Sequence, residues 1–139
     1  MQNEIPNCFY RVSAKALILD DTRQKFLVVR EDKGGWDLPG GGIDWGETTQ
    51  DCLKREITEE MGLVMADINA SPSYVLIGHH KNSTWIMGLV CEVKVKDLNF
   101  IPTPECREIK FISPDEVGSI EALEPVKQLV ELFDVKKHG

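Results

Sequence analysis

The sequence lacks the basic excess that marks proteins acting on nucleic-acid polymers. It has 16 Lys and Arg residues against 23 Asp and Glu residues, and its formal net charge is −7. Binding along a phosphate backbone requires a basic surface, so we expect no nucleic-acid polymer as partner. An anionic small molecule would still need a local cation, either a Lys or Arg side chain or a bound metal ion.

Long apolar runs and paired cysteines are also missing. The longest apolar run, at about residues 85–91, is far too short to span a bilayer, so we expect no membrane association. Residues 1–10 lack a basic segment followed by an apolar one, so we expect no secretory signal. The cysteines form no CxxC pair, which favours reduced thiols in a cytoplasmic protein. They are Cys8, Cys52, Cys91 and Cys106.

The length and composition favour an ordinary soluble protein. The chain has 139 residues, of which 42% are hydrophobic and 28% charged, and it shows no internal repeat. This length suits one domain with one core, so we expect residues 1–139 to form a single domain.

Apolar patterning predicts strands on both sides of a central helix. We expect strands at 11–21 and 25–30 paired as an antiparallel hairpin, strands at 72–80 and 83–95 around a turn at 81–82, and a strand at 108–112. A short extended piece at 36–39 leads into a glycine-rich loop at 40–42. The mixture predicts an α/β sandwich with a mixed sheet.

Three helical segments are predicted from their boundary residues. The first begins at Glu47 or Thr48 and ends at Gly62, which stands where a glycine commonly terminates a helix. Ser113 followed by Pro114 is typical of a helix start. An amphipathic helix is expected at 122–133, followed by a frayed tail at 135–139.

The central helix carries a cluster of carboxylates. At the helical period, Glu56, Glu59 and Glu60 share one face, beside an apolar stripe of Leu53 and Ile57. Repulsion between exposed like charges four residues apart costs only about 0.2–0.5 kcal/mol, so a solvated acidic face is a workable alternative. A solvated face normally lies opposite the core stripe, whereas these acids flank it.

The glycine-rich segment just before this helix favours a metal site. Glycines let a backbone approach a ligand closely, so the carbonyls of residues 38–42 and the helix carboxylates can face one cleft. Carboxylate and carbonyl oxygens suit Mg²⁺ or Mn²⁺, which share their coordination shell with substrate phosphates. A bound metal would then provide the positive charge that an acidic protein needs to bind an acidic substrate.

Residues 41–63 resemble the Nudix box in full. The pattern is a glycine, five residues, glutamate, seven residues, Arg-Glu, an aliphatic residue, any residue, Glu-Glu, any residue, glycine and an aliphatic residue. This sequence matches it without departure at Gly41, Glu47, Arg55, Glu56, Ile57, Glu59, Glu60, Gly62 and Leu63. Residues 38–41 and 108–117 also look like family elements, so the resemblance covers most of the chain.

The resemblance implies a Nudix α/β/α sandwich that hydrolyses a nucleoside diphosphate linked to another moiety. It suggests Glu56, Glu59 and Glu60 as the residues that bind Mg²⁺ and activate water, with the Gly40 carbonyl as a further ligand. Glu47 and Arg55 would hold the loop and helix together. Family members differ in their general base, so the base is either a box glutamate or a later acid; of Glu105 and Glu108 we favour Glu105. Many relatives are dimers, so a homodimer is conceivable.

The resemblance does not determine which nucleoside diphosphate derivative is the substrate. Nucleoside triphosphates rank first, followed by nucleotide sugars or ADP-ribose and then dinucleoside polyphosphates. The alternative is a non-catalytic nucleotide-sensing module, although such modules usually lose box glutamates that are all present here.

Weaker candidates lie outside the box. Arg30 is our candidate for a phosphate contact, with Arg11 behind it. Four aromatic residues could stack on a base, although packing is the more common role: Trp36, Trp45, Trp85 and Tyr74. His79 and His80 are adjacent on a strand, so they point to opposite faces and cannot share one metal.

Overall fold

The computed structural model describes residues 8–80 and 84–139. The elements in these ranges are β1 (Tyr10–Leu17), β2 (Phe26–Arg30), β3 (Trp36–Asp37), β4 (Gly40–Gly42), α1 (Thr49–Met61), β5 (Met65–Ile68), β6 (Tyr74–His79), β7 (Trp85–Val95), β8 (Glu108–Ile112) and α2 (Glu124–Leu132). Short 3₁₀ helices lie at Pro114–Ser119 and Val135–Lys137.

The strands form two sheets, one of them mixed. In the larger sheet β1 lies between β4 and the long strand β7, and both β5 and β6 pair with the other edge of β7. The β1–β7 pairing is parallel, and the remaining pairings are antiparallel. The smaller sheet has the order β3-β2-β8. The predicted α/β class with a mixed sheet is confirmed.

Helices cover both faces of the sheets. Ala14, Ala16 and Cys91 pack with Leu53 and Ile57 of α1 in one apolar cluster. Leu17 and Val90 pack with two residues of α2, Val126 and Leu129, in the other. Adjacent strand residues belong to different clusters because successive side chains point to opposite faces. No helix in the described ranges is long and apolar enough to cross a membrane.

The predicted hairpin of the first two strands is wrong. β1 and β2 lie in different sheets. The segments that join them make an antiparallel bridge between Leu19 and Phe26, with hydrogen bonds from the Leu27 amide to the Ile18 carbonyl at 2.8 Å and from the Asp20 amide to the Lys25 carbonyl at 3.1 Å. Both edges of each strand are already paired, β1 with β4 and β7, and β2 with β3 and β8. The two strands therefore diverge beyond the bridge.

The predicted glycine loop is also wrong, because Gly40–Gly42 is the short strand β4. Gly42, Gly41 and Gly40 pair with residues 13–15 of β1. Gly40 has φ 130°, and a Cβ there would collide with the backbone carbonyl of Ala14. Glycine is required at Gly40 because β1 passes so close.

Most of the elements predicted after the central helix are present, and one of them is different. The strands predicted within 72–80, 83–95 and 108–112 are present, as is the helix within 122–133. The turn expected at 81–82 lies outside the described residues. The helix expected after Ser113 is a single 3₁₀ segment. Strand β5 was not predicted, since residues 65–68 carry only a short apolar pattern.

The predicted frayed tail is wrong. His138 is only 7% exposed, its Nε2 lies 2.8 Å from the Tyr74 hydroxyl, and its ring stacks on Phe133 with centroids 5.3 Å apart. Glu92 Oε1 is 3.3 Å from His138 Nδ1. These tertiary contacts hold the segment against the sheet although its sequence has no strong local pattern.

Candidate active site

Helix α1 begins and ends as the sequence predicts. Thr48 is its N-cap: its side chain accepts a hydrogen bond from the Asp51 amide, and the Asp51 carboxylate accepts one from the Thr48 amide, each at 3.1 Å. This reciprocal pair satisfies amides that a helix start leaves unpaired. Gly62 ends the helix in the left-handed conformation. The boundaries set which face the glutamates occupy.

Glu60 is buried at the junction of α1 and β4. Glu60 is only 6% exposed, and its Oε1 accepts a 2.8 Å hydrogen bond from the Gly40 amide. Burial raises the pKa of Glu60 to about 8, and nearby Glu56 and Glu105 add to the rise, whereas the Gly40 bond and Lys15 oppose it. A cation bound nearby would therefore stabilise the ionised form of this carboxyl.

Glu56 lies one turn earlier and packs on the next glycine. A Cβ on Gly41 would come within 2.6 Å of the Glu56 carboxylate. The Arg55 Nη1 donates to Glu56 Oε1 at 2.8 Å. The absence of a side chain on Gly41 therefore lets the Glu56 carboxylate lie against β4.

Arg55 joins the helix to the segment that follows β4. Its Nε and Nη2 donate to the two oxygens of Glu47, both at 2.8 Å, and its Nη2 also donates to the Gly42 carbonyl at 3.2 Å. The paired guanidinium holds the pKa of Glu47 at about 2, and the pKa of Arg55 is raised in turn. The linking role expected for Glu47 and Arg55 agrees with these contacts.

A cleft of about 530 Å³ opens beside Glu60 and Gly40. Glu105 lines the same cleft, in the loop before β8 as the sequence suggests, together with Lys15 of β1. The cleft is strongly acidic, since Glu31, Asp32 and Asp37 line it as well. The structure thus brings together Gly40, Glu60 and Glu105 from three separate parts of the chain.

Several predicted site residues do not line this cleft, among them Glu56, Glu59 and Arg30. Glu59 is on the same helical face but has a side chain 57% exposed, with Arg55 Nη1 at 3.4 Å. Arg30 makes an ion pair with Glu108 across the β2–β8 pairing, at 2.7 Å from Nη2. Arg11 lies elsewhere, 3.6 Å from Asp44 and bonded to the Ile43 carbonyl.

An exposed sheet face adjoins Glu56. Register puts Tyr10 beside Trp85 and Val12 beside Met87, and on the other edge of β7 it puts His79 beside Trp85 and Ile77 beside Met87. These six residues are half-buried or exposed, and we call them the exposed sheet face. Ala14, two residues beyond Val12, pairs with Gly41, on which Glu56 packs. The face therefore ends at the carboxylates.

The aromatic candidates divide between core and surface. Trp36 and Tyr74 belong to the core cluster beside α2. Trp45 is fully exposed in the loop before α1. Trp85 is 45% exposed and stacks on His79 with centroids 4.5 Å apart. Cys52 is buried, with its thiol 3.5 Å from the Gly41 carbonyl, so it packs between α1 and β4.

Sequence reasoning missed Lys15. Its ammonium lies 3.3 Å from both Asp37 Oδ2 and the Leu38 carbonyl, and its side chain is 12% exposed. A lysine in the middle of an apolar strand pattern was the available signal, because a cation there must find buried partners.

The residues fit a divalent cation by charge and donor type. Glu56, Glu59 and Glu60 present hard oxygen donors on one helical face, and the burial of Glu60 near other acids favours a neutralising cation. Within residues 8–80 and 84–139, no three Asp, Glu, His or Cys side chains already converge as ligands. Arg55 bonds to one oxygen of Glu56 and one oxygen of Glu59, and each carboxylate has a second oxygen that could bind a cation.

Comparison with known proteins identifies the family. The family model for the NUDIX domain matches residues 9–133. The chain belongs to the Nudix family. Three of its box glutamates, Glu56, Glu59 and Glu60, lie on α1, and Glu47 lies just before it.

Relatives of this Nudix chain carry several activity names. It is 42% identical over 60 residues to an RNA pyrophosphohydrolase of Ruthia magnifica, covering 43% of this chain and 34% of that protein. A putative 8-oxo-dGTP diphosphatase of Bacillus subtilis is 43% identical over 53 residues, covering 38% and 36%. A MutT-like protein of Streptomyces ambofaciens is 27% identical, covering 90% of this chain and 78% of that protein. The first two matches thus span about a third of those relatives.

Solved structures agree on the Nudix fold. The E. coli ORF135 protein superposes with a TM-score of 0.74 at 18% identity, covering 93% of this chain and 91% of that one. The MutT protein of Methanosarcina mazei gives 0.73 at 23% identity, covering 94% and 96%. At these identities the likeness establishes the fold, and the predicted Nudix sandwich is confirmed.

Proposed function

We propose that this Nudix chain hydrolyses the diphosphate linkage of a nucleoside diphosphate joined to another group, with a divalent metal. The observation that carries the proposal is the buried Glu60 carboxyl bonded to the Gly40 amide, beside Glu105 in an acidic cleft. Buried acids of raised pKa in a cleft are typical of catalytic sites. The activity names of the relatives support the same reaction class.

The metal is proposed as Mg²⁺, with Mn²⁺ as the substitute, because the donors are oxygens. Glu56, Glu59, Glu60 and the Gly40 carbonyl would hold it. When bound, the ion supplies positive charge against the phosphate oxygens that an acidic protein otherwise lacks.

The chain's own residues would position and deprotonate the attacking water. Glu105, or Glu56 and Glu59 on the helix face, would take a proton from the water as its oxygen bonds to phosphorus. The bond from that phosphorus to the bridging oxygen then breaks, and the leaving phosphate keeps the bridging oxygen. Removal of such a base typically costs 10²–10⁴-fold in rate. Glu47 and Arg55 would keep β4 and α1 in register during this step.

The substrate's nucleoside would lie on the exposed sheet face. This face presents aromatic and aliphatic side chains and ends beside Glu56, so a base there would leave its phosphates near the carboxylates. Aromatic rings are general platforms for bases. Arg30 stays a proposed phosphate contact, although it would have to exchange Glu108 for the phosphate.

Nucleoside triphosphates rank first as substrates, followed by nucleotide sugars or ADP-ribose and dinucleoside polyphosphates. The net charge of −7 disfavours a nucleic-acid polymer, although the name of one relative points to RNA. We further propose that residues 1–139 form one Nudix domain that acts on small nucleotides in the cytoplasm. A homodimer stays a prediction.

A substrate panel tests the proposal. The chain would be incubated with Mg²⁺ and a nucleoside triphosphate, 8-oxo-dGTP, ADP-ribose, a nucleotide sugar, a dinucleoside polyphosphate and a 5′-triphosphorylated RNA oligomer. We expect release of phosphate, pyrophosphate or nucleoside monophosphate from at least one small nucleotide, and a loss of at least 100-fold in Glu60→Gln. Hydrolysis of the RNA oligomer with no hydrolysis of any small nucleotide would contradict the proposal that the substrate is a small nucleotide.

The alternative is a nucleotide-sensing module that binds without hydrolysis. Binding of nucleotides with no product from any panel member would favour it. Wild-type rates in Glu60→Gln would contradict the assignment of the site itself.

A further inference from the structure

The acidic cleft contains one deeply placed cation that neither the box nor the sequence pattern assigns. Lys15 lies in the middle of β1, paired with Gly40, and lines the cleft with Glu60 and Glu105. Its side chain is 12% exposed. The other cleft lysine, Lys33, is exposed in the loop after β2. Of the two lysines that line the cleft, Lys15 is therefore the more buried, and its charge acts on the Glu60 carboxyl.

The hydrogen bonds of Lys15 leave room for a ligand. An ammonium group has three N–H donors. Two point to Asp37 Oδ2 and the Leu38 carbonyl, each at the long distance of 3.3 Å. Across the part of the chain that the structure describes, no further acceptor is recorded for it. One donor is available to a group that enters the cleft.

The charge balance of the cleft indicates which ligand this donor would take. Five acidic side chains line the cleft, from Glu31, Asp32, Asp37, Glu60 and Glu105, against two lysines, Lys15 and Lys33. A phosphate that enters this field is repelled unless it meets a cation. Lysine binds phosphate as a point charge. Asp37 holds the ammonium through one contact at 3.3 Å.

We propose that Lys15 is a substrate-binding residue whose ammonium contacts a phosphate oxygen of a nucleotide bound in the cleft. This inference rests on the proposed function, since it requires a phosphate in the cleft. It adds a contact from β1, which lies outside the Nudix box. The alternative is a purely structural role, in which the Lys15–Asp37 ion pair only stabilises the fold.

Two substitutions separate these roles. Lys15→Met removes the charge and keeps the chain length, whereas Asp37→Asn breaks the same ion pair and keeps the ammonium. If Lys15 binds phosphate, Lys15→Met raises KM about 10–100-fold with a smaller change in kcat, and Asp37→Asn, which keeps the ammonium and removes a negative charge from the cleft, raises KM much less. If the pair is only structural, both variants lower the thermal midpoint together and shift KM alike, which would overturn the proposal.

A binding measurement keeps the test independent of turnover. Calorimetric titration with inorganic pyrophosphate and Mg²⁺ should show at least tenfold weaker binding in Lys15→Met than in the wild type. Lys25→Met serves as the control, because Lys25 carries the same charge, pairs with Glu116 and does not line the cleft. Equal affinity for pyrophosphate in Lys15→Met and the wild type would contradict the proposed role of Lys15.

The two proposals fail in different ways. A wild-type chain that hydrolyses no panel member would contradict the proposed function. A wild-type chain that hydrolyses nucleotides, with KM unchanged in folded Lys15→Met, would contradict only the role of Lys15.

Discussion

Glu60 and Gly40, twenty positions apart, are joined by a 2.8 Å hydrogen bond from the Gly40 amide to the Glu60 carboxyl. The bond ties α1 to β4 and places a buried acid at the edge of the cleft. It depends on glycine at Gly40, since only a residue without a side chain lets β4 pass so close to β1. The position of Glu60 therefore depends on the pairing of β4 with β1.

Gly40→Ala should destabilise the fold. Gly46 provides a matched control, because it also has a positive φ, of 86°, but a Cβ there would meet nothing within 4 Å. We expect Gly46→Ala to cost about 1–2 kcal/mol from backbone strain alone, and Gly40→Ala to cost clearly more, because a collision with Ala14 is added. Chemical denaturation measures both, and equal losses would show that the close approach of β1 is unimportant.

Addition of Mg²⁺ should stabilise the wild type. A ligand that binds only the folded state adds about 1.4 kcal/mol at tenfold its dissociation constant. We expect the thermal midpoint to rise with Mg²⁺ in the wild type and to rise far less in Glu56→Gln and Glu60→Gln. Glu108→Gln is the control, because Glu108 pairs with Arg30 outside the cleft. A Mg²⁺ response that survives both box substitutions would place the metal elsewhere.

Trp85→Ala should weaken substrate binding through the exposed sheet face. Stacking on an aromatic ring is worth about 1–3 kcal/mol per base, so KM should rise roughly 5–150-fold while kcat changes less. Ile101→Ala provides a comparison, because Ile101 is 63% exposed and packs beside Gly62 at the far end of α1. Unchanged KM in Trp85→Ala would remove Trp85 from the proposed base contact.

Stability should fall as pH drops below about 6.5 because of His138. Burial lowers the pKa of His138 below its ordinary value of 6.5, with Glu92 opposing the shift and Arg23 and Lys137 adding to it. The unfolded chain then binds a proton that the folded chain resists, so the free energy of unfolding decreases as pH falls through 6.5 and levels off below the folded pKa.

His138→Gln isolates that contribution. The variant should show a shallower decrease in unfolding free energy between pH 7.5 and 5.5 than the wild type, by denaturant titration at each pH. The exposed His79 and His80 are present in both proteins and cancel in the difference. Parallel curves for the two proteins would mean that His138 does not titrate differently on folding.

The sequence by itself determined the central helix and its chemistry. Thr48, Gly62 and the spacing of Glu56, Glu59 and Glu60 act within a few residues of one another, so helix boundaries and the shared carboxylate face follow from local rules. The box pattern also indicated the family, and the comparison with known proteins confirmed it. The individual roles of the site residues stay predictions.

Only the tertiary structure decided which distant segments meet. Gly40–Gly42 reads locally as a loop, but β1 offers it an unpaired edge, and pairing satisfies its backbone groups. Lys15 resembles an interruption in an apolar strand until β4 and Glu60 are placed beside it. Arg30 has a partner in Glu108 only because β2 and β8 pair across most of the chain. These contacts depend on long-range strand pairing, which no local spacing in the sequence encodes.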